Sequence, residues 1–399
     1  MRILLVSQWC YPEPDLKVLP LAEQMSELGH QVEILTGFPN YPGGVVYDGY
    51  KIKFYQKEVI GNITVHRVPL YPSHSKNKFE RIANYLSFLM CSAIWGLFVT
   101  KKADVIYAYH PPITTVYSAI FLKIFKRAKL VIDIQDMWPD TLKTTGMISN
   151  DKIINIIGKG CLLAYKFVDK IVVLSHGFKK VLAGRGVPEE KIEVIHNWSL
   201  DINDQVDTKE VLRQKVGFTK FTILFAGNMG PAQSLETIID AAKELQDENI
   251  EFAFVGSGLS KEQLEKSAQG LNNVKFYGRV SKEEVGKYLD ASDALLVHLK
   301  RDELFEVTIP SKIQAYLKCG KPILVGVLGD AKNMIEGNGA GISFLPEDAQ
   351  SLKSAVKKMI SLNSSELESM GEKGKRFYNE NLSLEVGSKK FDSVFSSFQ

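Results

Sequence analysis

Cysteine is scarce: the 399 residues hold four, at Cys10, Cys91, Cys161 and Cys319. None forms a C-x-x-C pair or a zinc spacing, so a disulfide scaffold and a zinc ribbon are excluded. Reduced thiols in a cytosolic setting are expected. No run reaches the ~18 to 20 uninterrupted apolar residues of a membrane span. The opening Met1-Arg2-Ile3-Leu4-Leu5-Val6 is too short for a secretory signal, and Ser7-Gln8-Trp9 breaks it. An excess of one charge is also missing. Against 49 basic residues stand 46 acidic ones, a net charge of +3, so no nucleic-acid partner is expected and any basic site must be local. There is no short repeat and no low-complexity tract. No G-x-G-x-x-G follows the first apolar run, which disfavours a dehydrogenase.

What is present is an alternation of short apolar runs and longer amphipathic stretches, in a chain that is 45 % hydrophobic and 24 % charged. That length suggests two to three domains. Strands are predicted at 3–6, 32–35, 105–108, 130–134 and 171–174. A helix over 16–29 stops at Gly29-His30. A second series has strands at 221–225, 251–255, 274–277, 294–298 and 322–325. Helical patterns cover 234–245, 282–289, 311–318 and 331–336. Parallel βαβ units of this kind predict open sheets covered on both faces. A polar stretch near 199–216, with Asp201, Asn203, Asp204 and Asp207, links the halves. The expected fold is therefore α/β, with two Rossmann-like doubly wound domains, 1–200 and 201–380, facing a central cleft. The tail, 381–399, carries Val386, Phe391, Val394 and Phe395 in an amphipathic helical pattern that can cross back to the first domain. Ligands in such sheets bind beyond the carboxyl ends of the strands.

The richest segment is Phe-Thr-Ile-Leu-Phe-Ala-Gly-Asn-Met-Gly-Pro-Ala-Gln-Ser-Leu, 221–235. A strand runs into Gly227, Asn228 and Gly230, then into a helix. Glycines there bring main-chain N–H groups close to an anion, with the helix's positive end behind them. A plain turn using glycine for positive φ explains the same residues equally well. Gly256 and Gly258 repeat the pattern after the next strand. Arg279 and Val280 follow a third, where a nucleobase edge can be read or Arg279 can simply be a surface charge. Pro310 suits a helix start, which puts Ser311 and Lys312 in its first turn. A cation there is unfavourable unless an anion is bound, so Lys312 points to a phosphate. Glu306, in the preceding loop, can accept hydrogen bonds from sugar hydroxyls or stand as an exposed acid.

With these residues assembled, the chain resembles a GT-B glycosyltransferase of family 4, the retaining nucleotide-sugar transferases. Within that family it is similar to bacterial O-antigen and capsule enzymes of the L-fucosaminyltransferase type. The resemblance spans nearly the whole chain. It rests on Gln8-Trp9-Cys10-Tyr11-Pro12-Glu13-Pro14, His110-Pro111-Pro112, Asp136-Met137-Trp138-Pro139-Asp140, the segment from Phe225 to Gln233, and Pro310-Ser311-Lys312. It implies that the C-terminal half binds the donor and the N-terminal half the acceptor, with no divalent metal and no cofactor. Donor contacts would come from Lys17, Gly227, Asn228, Gly230, Gln233, Gly256, Gly258, Arg279, Val280, Pro310, Ser311 and Gln314. Gln8, Glu13, His110, Gln135 and Trp138 would face the acceptor, and Glu306, Lys312 and Asp136 would carry the chemistry. Asp136 can orient the acceptor hydroxyl or act as base, or merely cap the turn before Trp138-Pro139.

The departures are specific. Asn228 and Gln233 stand where many relatives have an Arg and a Lys on the diphosphate. The family's paired acids read Glu306 and Gln314, an amide replacing the second and weakening its hydrogen bond. Gln135 replaces a histidine, and Pro14-Asp15-Leu16-Lys17 replaces a Gly-Gly loop. Lys312 is then the first candidate for the diphosphate charge, followed by Lys300, Arg301 and Lys17.

The apolar stretch 85–100 has Lys76, Lys78 and Arg81 before it and Lys101-Lys102 after it, and 121–127 is a second basic, aromatic patch. Its length favours a core helix. The alternative is a helix lying at an anionic membrane. The resemblance implies a polyprenyl diphosphate-linked saccharide as acceptor and a peripheral place on the inner face of the cytoplasmic membrane. Two competing readings remain, a nucleotide-sugar epimerase of the same fold and a non-catalytic sugar-nucleotide-binding protein.

Overall fold

A computed structural model of the protein describes residues 1–14, 17–75, 77–200 and 207–399, with side chains except at 78, 282 and 283. Asp15, Leu16, Lys76 and the linker residues Asp201, Asn203 and Asp204 lie outside the described residues. The chain divides into a first unit, 1–196 with 384–399, and a second unit, 197–383.

The first unit is built on an eight-stranded sheet of β1 (Arg2–Val6), β2 (Gln31–Gly37), β3 (Gln56–Ile60), β4 (Ile63–Val68), β5 (Val105–His110), β6 (Lys129–Ile134), β7 (Lys170–Val173) and β8 (Ile192–Val194). The spatial order is β3-β4-β2-β1-β5-β6-β7-β8. All neighbours are parallel except the β3–β4 hairpin. The inner strands are aliphatic because helices bury both faces. The tail helix, Leu384–Ser396, belongs to this unit and packs on the helix Val18–Glu27. Phe391 and Phe395 are fully buried there, and His30 Nε2 lies 2.7 Å from Asp392 Oδ1.

Three helices, Lys78–Val99, Ile113–Lys126 and Asp151–Phe167, sit side by side. Ser92 Oγ meets Ser118 Oγ at 2.7 Å, and the Tyr117 hydroxyl donates to the Gly160 carbonyl at 3.0 Å. The first of these helices buries Phe88 and Ala93, and Gly96 lets it close on Leu35 and Leu122. Its other face is apolar and open. Length and composition alone would suit it to crossing a membrane, and only 28 % of its apolar window is buried. The sequence favoured a core helix; the helix instead packs along one side only.

The second unit holds β9 (Phe221–Ala226), β10 (Ile250–Val255), β11 (Val274–Gly278), β12 (Ala294–His298), β13 (Ile323–Gly326) and β14 (Gly341–Ser343) in the order β11-β10-β9-β12-β13-β14. All are parallel. Phe225, Phe252, Phe254, Leu296 and Leu324 fill its core. Both sheets reverse their strand order beside their first strand, at β1/β5 and at β9/β12. Such switch points are where open α/β sheets take ligands.

Candidate active site

At the switch point of the second unit, three strand-end loops are stitched together by main-chain bonds. Gly227 N–H donates to the Val255 carbonyl at 2.8 Å, Met229 N–H to Ser257 at 2.9 Å, and Gly256 N–H to Gly278 at 2.7 Å. Gly256 has φ +136°, and a β-carbon there would stand 2.0 Å from the Gly227 oxygen. One at Gly258 would stand 2.3 Å from the Met229 oxygen. These two glycines are thus needed to let one loop lie on the next.

Lys312 enters this platform from the second position of the helix Ser311–Cys319. Its Nζ lies 3.7 Å from the centre of the Phe225 ring and 3.2 Å from where a Gly227 β-carbon would be. The ammonium is shielded from solvent and has no hydrogen-bond partner among the described residues. Desolvation pushes its pKa down to about 7. A cation held over an aromatic face, at a helix start and without an anion is poised for one. Tyr316, one turn along the helix, holds the helix to β9: its hydroxyl accepts from Ala226 N–H at 3.0 Å.

Ser311 is exposed beside Lys312, after Pro310 as the cap residue. Glu306 is exposed at the end of the short helix Glu303–Glu306. Its backbone oxygen lies 1.9 Å from a Gly329 β-carbon position, so only glycine fits at the start of the helix Asp330–Gly337. Asn228 and Arg279 are exposed, and Val280 is half-buried. Lys300 Nζ lies 6.0 Å from the Phe305 ring centre, and Arg301 Nε donates to the Pro346 carbonyl at 2.9 Å.

Several expected donor contacts are engaged elsewhere. The Gly230 N–H, expected on a phosphate, donates to Gln233 Oε1 at 3.0 Å, so Gln233 closes its own loop. Gln314, expected on a ribose, is 2 % exposed among Ile313, Tyr316 and Leu317 on the inward helix face. Lys17, expected on the donor phosphates, is 4 % exposed, 3.4 Å from Asp133 and over the Phe391 ring. A buried lysine needs a local counter-charge, and Asp133 supplies it inside the first unit.

At the switch point of the first unit, β1 leads to Gln8, β5 ends at His110, and β6 leads to Gln135 and Asp136. Gln8 Nε2 donates to Asn84 Oδ1 at 2.5 Å, and its buried Oε1 has no partner among the described residues. His110 is fully buried, and neither ring nitrogen has a hydrogen-bond partner among the described residues. Desolvation drives its pKa down to about 3, so it is neutral. Its ring is 5.7 Å from Trp138, which is 6.4 Å from Tyr85.

Asp136 keeps solvent-accessible surface while the protein around it raises its pKa by desolvation. Its carboxylate and Tyr85 in turn push up the Tyr41 phenol, after desolvation, so Tyr41 stands near both. The Asp136 carbonyl also accepts from Trp138 N–H at 2.9 Å, making the turn. The backbone of Asp136 thus makes the turn, and its side chain is exposed. Glu13, expected at the acceptor, is instead a loop staple: its carboxylate accepts from the N–H groups of Cys10, Asn40 and Tyr41. Gln135 Nε2 donates to Asp133 Oδ1 at 2.6 Å.

The sequence reading missed His298, Tyr316, Tyr41, Tyr85 and Asn84. His298 Nδ1 contacts the Gln233 carbonyl at 2.7 Å and its Nε2 accepts from Glu347 N–H at 3.0 Å, pinning the loop behind Gly230. Its place at a strand's last position was the available signal. The others had none, since each acts through contacts or hydrogen bonds across sequence separations no local pattern encodes. Among the described residues no group of three or more His, Cys, Asp or Glu is placed to hold a metal ion.

Comparison with known proteins bears on both halves. Residues 16–198 match the glycosyl transferase 4-like domain and residues 208–377 the glycosyl transferases group 1 model. The Escherichia coli (strain K12) protein WcaI, assigned to colanic acid biosynthesis as a glycosyl transferase, is 31 % identical over 316 residues, 75 % of this chain and 76 % of its own. WbjE of Pseudomonas aeruginosa, assigned as a glycosyltransferase, is 23 % identical over 339 residues, 80 % of this chain and 82 % of its own. Among solved structures, Anabaena HepE in complex with UDP superposes with a TM-score of 0.71 at 17 % identity, covering 100 % of both chains. WaaG, a glycosyltransferase involved in lipopolysaccharide biosynthesis, does so at 0.65 and 15 %, covering 98 % of this chain and 99 % of its own.

Proposed function

The chain belongs to the glycosyl transferases group 1, with a GT-B fold of two Rossmann-like units, and from that premise we propose that it moves a sugar from a UDP-linked donor to a lipid-linked saccharide in surface-polysaccharide assembly. The observation that carries the donor half is the Lys312 ammonium at the β9/β12 switch point, without a hydrogen-bond partner among the described residues. The polysaccharide role is supported by the assignments of WcaI and WaaG, and UDP by the HepE complex. N-acetyl-L-fucosamine is the first sugar to test.

In this reading transfer is retaining and needs no metal. The bond between the sugar's C1 and the β-phosphate oxygen breaks, and negative charge grows on the departing diphosphate. Lys312 and the Ser311 end of its helix stabilise that charge, the type of term that usually dominates. Glu306 holds the sugar's hydroxyls and orients the ring. The acceptor oxygen bonds to C1 on the same face, and its proton passes to the leaving phosphate. Asp136, the exposed acid at the first unit's switch point, orients the acceptor hydroxyl.

The open helix faces suit a cytoplasmic enzyme lying on the membrane. Phe79, Ile82, Leu86, Met90, Ile94 and Phe98 form one exposed stripe, and Ile153, Ile156, Leu163 and Phe167 another. Exposed Lys101, Lys102, Lys159 and Lys166 flank them. Apolar stripes with basic flanks bind anionic bilayers.

The test is transfer of label from UDP-N-acetyl-L-fucosamine, and from a panel of other UDP sugars, to a membrane lipid extract. Labelled lipid is expected with one donor in wild type and lost in Glu306→Gln. Free sugar conversion without an acceptor would turn the reading toward an epimerase.

A further inference from the structure

The first unit contains a cavity of about 370 Å³, large enough for a small-molecule site and far beyond an ordinary packing gap. Its wall is almost wholly apolar: Ile82, Tyr85, Leu86, Leu142, Ile153 and Ile157, closed by Trp138. Three polar residues interrupt it. Asn150 is occupied as the cap of the helix Asp151–Phe167. The Thr114 hydroxyl is buried with no partner among the described residues. Arg81 donates weakly to Met147 Sδ at 3.5 Å, and no carboxylate pairs with it among the described residues.

Two continuities identify the occupant. Outward, Ile82 and Leu86 belong to one exposed stripe and Ile153 to the other, so the cavity opens between the two faces assigned to the membrane. Inward, Trp138 lies in its wall and 5.7 Å from His110, so the cavity ends beside the acceptor half-site. A molecule filling it would have a hydrocarbon chain coming from the bilayer and an anionic group within reach of Arg81. A protein segment would match the apolar wall but not the Arg81 beside it, which no carboxylate pairs among the described residues.

We propose that this cavity receives the first isoprene units of the acceptor's lipid, with the diphosphate toward Arg81. This rests on the reading that the acceptor is lipid-linked. Seating the tail fixes how far the acceptor saccharide reaches along the first unit.

Calorimetric titration with farnesyl diphosphate tests it, in saturating UDP so that the donor half-site is filled. Farnesyl diphosphate is expected to bind at least about tenfold tighter than inorganic diphosphate, because apolar area leaves water. Ile153→Asp, at a half-exposed first-turn position, should weaken it about tenfold or more by placing a charge against the chain, without changing the UDP-induced rise in melting temperature. Arg81→Gln should weaken farnesyl diphosphate but not farnesol. Phe98→Ser, on the stripe outside the cavity, should lower vesicle binding and leave farnesyl diphosphate binding unchanged. Equal affinity for farnesyl and inorganic diphosphate, or indifference to Ile153→Asp, overturns the cavity assignment. If wild type keeps its UDP response through such a failure, the donor reading stands; if UDP has no effect on wild type, it is the proposed function that fails.

Discussion

Replacing Lys312 by Met should make the ligand-free protein more stable and inactive. Lowering a lysine from about 10.4 to about 7 corresponds to roughly 5 kcal/mol against the charged, folded form. The Phe225 face returns about 1–2 kcal/mol, and the partial exposure of the stem reduces the penalty further. Met keeps the apolar stem over the ring and removes the charge, for a net gain of about 2–3 kcal/mol. For a domain of 150–250 residues that raises Tm by roughly 5–10 °C.

The sign follows from proton uptake. Below about 7 folded and unfolded chains both hold the proton, so the penalty is fully present. Between about 7 and 10.4 only the unfolded chain keeps it, and the penalty fades. Melting curves of both proteins from pH 6 to 10, with and without UDP, read this directly. The variant's advantage should be largest at pH 6–7 and shrink toward pH 10. Its UDP-induced shift should vanish, whereas UDP at 100 times its Kd would stabilise wild type by about 2.7 kcal/mol. A variant that melts at or below wild type at pH 6.5, or that still responds to UDP, refutes the reasoning about Lys312.

UDP affinity of the wild type should peak near pH 6–7: above about 7 it should fall up to about tenfold per pH unit as Lys312 loses its proton, and below ~6 the terminal phosphate itself protonates. Isothermal titration across pH measures this, and Lys312→Arg should flatten the alkaline limb. Gly256→Ala should destabilise by about 3 kcal/mol or more, since its β-carbon would press on the Gly227 oxygen at positive φ; urea unfolding of the purified variant is the check. Glu13→Gln should lower stability by about 1–3 kcal/mol through its lost loop bonds while kcat of the folded fraction stays near wild type. Met90→Ser with Phe98→Ser should reduce flotation with anionic vesicles severalfold at low salt, and unchanged flotation would remove the membrane assignment of that stripe.

The parallel strands were legible because burial on two faces makes them aliphatic, and β1, β5, β6, β9, β10 and β12 stand within one or two residues of their predicted places. The β3–β4 hairpin was not. Its turn, Gly61-Asn62, follows the edge strand β3, whose residues alternate between exposed and half-buried, a weaker signal than a central run, while the buried inner strand β4 has its aliphatic run broken by His66 and Arg67. β8 and β14, three residues each, are too short for any period to register. In the candidate site, Lys312 was legible because a lysine in a helix's first turn contradicts helix electrostatics. Gln233, Gln314, Lys17 and Glu13 have motif positions that say nothing of where each side chain turns. Loop closure took Gln233 and Glu13, core packing took Gln314, and the buried Asp133 took Lys17.

The docking of Leu384–Ser396 on the first unit also bears on how the molecule is made. A ribosome finishes the second unit at residue 383 before it releases the aromatic side chains that complete the first. Until Phe391 and Phe395 emerge, the socket beside Tyr107 stays uncovered, and the nascent first unit exposes apolar surface that invites aggregation. A stop codon that trims the last sixteen residues would leave the second unit whole and cripple the first.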